Sequence, residues 1–62
     1  MDPEVTLQRL ERAIQTRDFS VAVESLNNYY QWRLKGGAGP VQGDARADIL
    51  ANHLVDAMEQ QS

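Results

Sequence analysis

All four aromatic residues of this chain, Phe19, Tyr29, Tyr30 and Trp32, fall inside one amphipathic stretch from Asp18 to Lys35, closed by Gly36-Gly37. Aromatic side chains carry the largest apolar surface per residue, so this stretch must organise whatever core the chain builds. Its apolar positions recur with the period of a helix. Asp18 can accept hydrogen bonds from the first free amides. Lys35 in the last turn complements the helix dipole, and Gly36 can take the left-handed conformation that ends a helix. The spacing therefore predicts a helix from 19 to about 35.

That helix carries more than one apolar strip. Phe19, Ala22, Val23, Leu26 and Tyr30 line its main face. Val21, Ser25 and Trp32 lie about 120° away, with Tyr29 between the two groups. A helix that touches one neighbour needs one strip. Two strips predict a central helix that meets the first helix on one side, and the third helix or another chain on the other.

The flanking segments follow the same logic. A first helix is expected from Pro3 to about Thr16, with Asp2 as its cap and Pro3 at the first helical position. Leu7, Leu10 and Ile14 share one face, while Val5, Arg9, Arg12 and Thr16 lie opposite. The Arg17-Asp18 link is too short for anything but an antiparallel hairpin. Four glycines and a proline between 36 and 43 read as a flexible loop. A third helix is expected from about 45 to 59, capped by Asp44. Its apolar face is Ala47, Leu50, Ala51, Leu54 and Met58, extended by Val55 and Ala57. Asp48, Asn52, Asp56 and Glu59 form the polar stripe, with Ile49 at its edge. Gln60 to Ser62 are expected to fray. The expected fold is all-α: one domain over 1–62, a helical hairpin plus a third helix, open to assembly as a helical-bundle homodimer.

Size makes the question of partners pressing. A chain of 62 residues buries only about 60% of the surface that its unfolded form exposes. Small domains are commonly reinforced by disulfides, a metal or another chain. The sequence contains no cysteine and a single histidine, His53. Disulfides, thiolate metal sites and multi-histidine sites within one chain are thereby excluded, leaving helix packing or self-association.

No apolar run approaches the roughly 18 residues of a membrane span. Met-Asp-Pro-Glu shows no secretory signal, so the expected setting is the cytoplasm. The net charge of −3 is unevenly placed. Residues 1–35 balance Asp2, Glu4, Glu11, Asp18 and Glu24 against Arg9, Arg12, Arg17, Arg33 and Lys35. Residues 36–62 set Asp44, Asp48, Asp56 and Glu59 against Arg46 alone. An acidic chain repels phosphate backbones, which argues against nucleic acid as its first partner.

The chemistry-bearing residues form no constellation. Ser20 or Ser25, His53 and an acid can be named, but a triad is defined by geometry rather than inventory. His53 has Asp56 three residues later, close enough on a helix to pair. The acids of the third helix share a solvated stripe and lack the spacing of a calcium loop. The glycine loop lacks the Gly-Lys-Ser/Thr ending of a phosphate loop. No catalytic residue, metal ligand or cofactor site is expected, and the chain is not expected to be an enzyme.

Four residues stand out as contacts with another protein: Trp32, Tyr29, Ile49 and Val21. Trp32 lies off the main strip, and tryptophan is enriched among interface hot spots; packing under the third helix or the glycine loop is its alternative. Arg33 falls on an apolar face, where its stem can cover apolar surface while its head pairs with Asp44 or Asp48. The segment Asp18-Phe19-Ser20-Val21-Ala22, followed by Leu26-Asn27-Asn28-Tyr29, resembles one half of a tetratricopeptide helix pair. Such repeats need about three units for a core, and this chain has room for fewer than two. Their peptide-binding function is therefore not carried over. The expected function is a small non-enzymatic protein–protein interaction module, an adaptor or regulator that self-associates. The alternative is a phage- or plasmid-type nucleic-acid-associated regulator using Arg9, Arg12, Arg17, Arg33 and Lys35.

Overall fold

The computed structural model describes residues 1–38 and 41–61, the backbone alone for residues 41 and 42. It consists of three helices: α1 Pro3–Gln15, α2 Phe19–Leu34 and α3 Val41–Gln60. No strand occurs among the described residues. α1 packs along both other helices, while α2 and α3 touch one another least.

Asp2 caps α1 by accepting from the Glu4 and Val5 amides at 3.0 and 3.5 Å. α1 and α2 end in the same six-residue wrap, and the one on α1 keeps the hairpin turn compact. In α1, the Arg17 amide reaches the Ile14 carbonyl at 3.2 Å and the Asp18 amide reaches Ala13 at 2.9 Å. In α2, Gly36 reaches Arg33 at 3.1 Å and Gly37 reaches Trp32 at 2.9 Å. This paired pattern requires a left-handed residue just past the helix. Gly36 supplies it at φ 91°, and Arg17 supplies it at φ 62°. Asp18 then turns from closing α1 to capping α2, accepting from the Val21 amide at 3.4 Å.

The core joins Leu7, Leu10, Ala13 and Ile14 of α1, Ala22 and Tyr29 of α2, and Ala47, Leu50, Leu54 and Ala57 of α3. Phe19, Val21, Leu26 and Trp32 pack on it while partly exposed. Two expectations are corrected here. Helix three begins at Val41, not Ala45, so Asp44 lies within its first turn and is not its cap. Gly43, read as part of the loop, is a buried helical residue. It continues the inward row Ala47, Leu50 and Leu54 at helical spacing.

The inward face of α2 overlaps the expected strip only in part: Ala22 is buried and Phe19 and Leu26 pack on the core, as expected. Ala22, Ser25 and Tyr29 are its buried residues. Val23 and Tyr30, assigned to the main face, are 48% and 37% exposed. Small Ala22 and Ser25 bring α2 close to its neighbours, and the Tyr29 ring fills the space beyond them. The bulkier strip is thereby turned partly outward.

Candidate interaction surface

A polar clamp fixes how α2 and α3 meet. The Tyr29 hydroxyl donates to Asp44 Oδ1 at 2.5 Å. Arg33 Nη2 donates to the other carboxylate oxygen at 2.6 Å, and its Nη1 to the Gly37 carbonyl at 2.7 Å. One guanidinium thus ties the end of α2, the loop after it and the start of α3. One helical turn further along α3, the Tyr30 hydroxyl donates to Asp48 at 3.1 Å. The structure therefore joins Arg33 to Asp44, while Asp48 takes a tyrosine rather than the arginine.

The clamp shifts its own acids and phenols. The hydrogen bond from Tyr29, with that from Arg33, holds the Asp44 carboxyl below its ordinary range. Burial, with the Asp44 carboxylate beside it, pushes the Tyr29 phenol up to about 12. Burial and Asp48 raise Tyr30 in the same sense. Both tyrosines are locked in the neutral, donating form.

On the opposite side of α3, Arg46 reaches Glu4 at 2.7 Å and Glu11 at 3.6 Å. This bridge to α1 has no counterpart in the sequence reading, because the acids lie some forty residues away along the chain. The Arg46 hydrogen bond holds Glu4 below the usual carboxylate range.

The residues singled out as contact candidates separate into two groups. Tyr29 is fully buried and offers no surface. Trp32 and Val21 are partly buried against the core. The Trp32 indole lies over Gly37, where an added Cβ would overlap the ring, and its centroid is 6.0 Å from that of Tyr29. Trp32 thus packs under the glycine turn of its own chain. Ile49 stands in solvent at 55% exposure.

The outer edge of the α2 strip that includes Val23 and Tyr30, extended by Leu34, forms an exposed apolar surface. Phe19, Val23, Leu26, Tyr30 and Leu34 recur at three- and four-residue steps along α2, so they share one face. Val23, Tyr30 and Leu34 are exposed. The same spacing argument puts Ala51, Val55 and Met58 on the edge of α3 that carries Asp44 and Asp48, and so on the side toward α2. At one end of this seam an open hollow is lined by Phe19, Ser20, Val23, Glu24, Asn27 and Met58. The seam is apolar along its floor and follows both helices.

Arg9, Arg12 and Lys35 share linings on the α1–α2 face, and Arg33 is set apart from them. Arg33 is engaged by Asp44 and Gly37. Arg9 and Arg12 border a depression that also contains Asp18 and Val21. Lys35 lies with Arg9, Met1 and Trp32 near the other end of the hairpin. His53 is exposed on α3. Among the described residues, no group of histidine and carboxylate side chains is placed to hold a metal ion, and no helix is long and apolar enough to cross a membrane. No protein-family model, curated protein or solved structure matches the chain.

Proposed function

We propose that this chain is a small protein–protein interaction module, an adaptor or regulator of the cytoplasm rather than a catalyst, and that it works through the α2–α3 seam. One observation carries the reading. Val23, Tyr30, Leu34, Val55 and Met58 are all exposed large apolar or aromatic residues on or beside the two facing helices. Contiguous exposed apolar surface of this kind marks contact sites in small soluble domains. The seam is also rigid at its base, because the Tyr29–Asp44–Arg33 clamp fixes the two helices to each other. A preformed surface loses less entropy on binding than one that must order.

Site-specific photo-crosslinking in the cells that make the protein tests this reading. A photoreactive residue at position 23 or 55 should yield a discrete protein adduct. The same residue at Gln15, exposed on α1, should yield none. The mass of the adduct separates a second copy from a different protein. Equal labelling at all three positions, or none at 23 and 55, overturns the proposal.

A further inference from the structure

We infer that the occupant of the α2–α3 seam is an amphipathic helix of another protein whose apolar stripe is flanked by lysine or arginine. The inference rests on the interaction-module reading and adds the chemistry of the partner. α1 covers one side of the α2–α3 pair and leaves the other open, so three helices stand where a four-helix arrangement would place a fourth. The groove between two antiparallel helices accepts the side-chain ridge of another helix. From Phe19 to Tyr30 the floor runs eleven residues, about 16 Å at the helical rise. That matches about three turns of a docked helix.

Charge selects the flanks. α2 and α3 contain two strong bases, Arg33 and Arg46. Arg33 is bound to Asp44, and Arg46 is turned to Glu4 and Glu11 of α1. Glu24, Asp48, Asp56 and Glu59 have no cation within ion-pair distance among the described residues. Glu24 borders the hollow itself, and Asp48 sits at the Tyr30 end of the seam. Glu59 lies one turn beyond Val55 on the same face of α3. Acids thus edge the apolar floor on both helices. A two-fold dimer through this seam would set the same acids against each other, which disfavours a second copy as the occupant. A helix with basic flanks meets them with opposite charge.

The test uses two designed peptides of about 14 residues, sized to the floor by the helical rise. Both carry the same leucine stripe; one has lysine flanks and the other has glutamate at the same positions. Binding is followed by fluorescence anisotropy, and its location by amide chemical shifts of the isotope-labelled protein. The lysine peptide should perturb Val23, Tyr30 and Val55. It should bind at least about tenfold more tightly than the glutamate peptide at low salt, a gap that narrows as salt screens the rim. Paired Glu24→Lys and Glu59→Lys substitutions on exposed positions should reverse the preference. Equal binding of both peptides in the seam overturns the charge selection and leaves the interaction module standing. Shifts confined to α1, or no binding by the lysine peptide, overturn the inference. In that case the crosslinking pattern at positions 23 and 55 still decides the broader reading on its own.

Discussion

At the hairpin turn, Arg17 holds a conformation that suits glycine. A left-handed backbone costs an L-residue about 1–2 kcal/mol, and Arg17 accepts it at φ 62° so that both wrapped hydrogen bonds of α1 can close. Arg17→Gly removes that strain but adds freedom to the unfolded chain. The net gain should be up to about 1 kcal/mol, or a rise of about 4–8 °C in melting temperature per kcal/mol for a domain of this size. A thermal melt followed by circular dichroism checks it; a lower melting temperature would mean that the arginine side chain holds the turn by a contact worth more than the strain.

The clamp gives a second prediction at the same scale. The folded-state pKa of Tyr29 is raised to about 12, above its unfolded value of about 10. The folded state therefore binds the phenolic proton more tightly than the unfolded state. The associated stability is fully present below about pH 10. It is lost as pH rises through the folded value of about 12. Melting temperature should fall steeply over that window, and Tyr29→Phe should flatten the fall, leaving the share due to Tyr30. Asp44 has the opposite sign: its lowered carboxyl stabilises above the ordinary carboxylate range and loses that contribution in acid.

Among the helices, α1 is the shared wall, and its buried row is where stability concentrates. Leu7 and Leu10 are among the largest fully buried side chains. A domain of this length is held by about 3–9 kcal/mol in total. Leu10→Ala should cost about 2–5 kcal/mol by emptying a site between helices, enough to lower the denaturant midpoint by about a fifth at the least and to unfold the chain at the most. The row Leu7, Leu10, Ile14 was legible from spacing because one narrow apolar stripe separates cleanly from arginines. The caps Asp2 and Asp18 were legible for the same local reason. The inward face of α2 was legible only in part, because apolar side-chain size points to Val23 and Tyr30, whereas the close approach runs through Ala22 and Ser25. The start of α3 was hidden by Gly43. Local propensity counts glycine as a breaker, but here it is buried in the helix in line with Ala47 and Leu50. The Arg33–Asp44 pair could be anticipated as one of two partners; the Arg46 bridge needed the fold.

The whole molecule measures 35 × 17 × 16 Å, too slender to bury every apolar side chain it carries. The residues left outside, Val23 and Val55 among them, contribute little to the fold if the chain stands alone, and a great deal if a second copy covers them. Replacing both with glutamine separates the two cases. Glutamine is at least as good a helix former as valine, and exposed positions tolerate substitution within about 0.5 kcal/mol. The Val23→Gln, Val55→Gln double variant should therefore melt at or slightly above the parent temperature, and neither protein's melting temperature should move with protein concentration. A homodimer sealed across the seam predicts the reverse: a concentration-dependent melt for the parent and a loss of several kcal/mol for the variant from the uncovered apolar area. The acidic edges of the seam favour the first outcome. The double variant would then separate docking from folding: it should fold as the parent does and fail to bind the lysine-flanked helix.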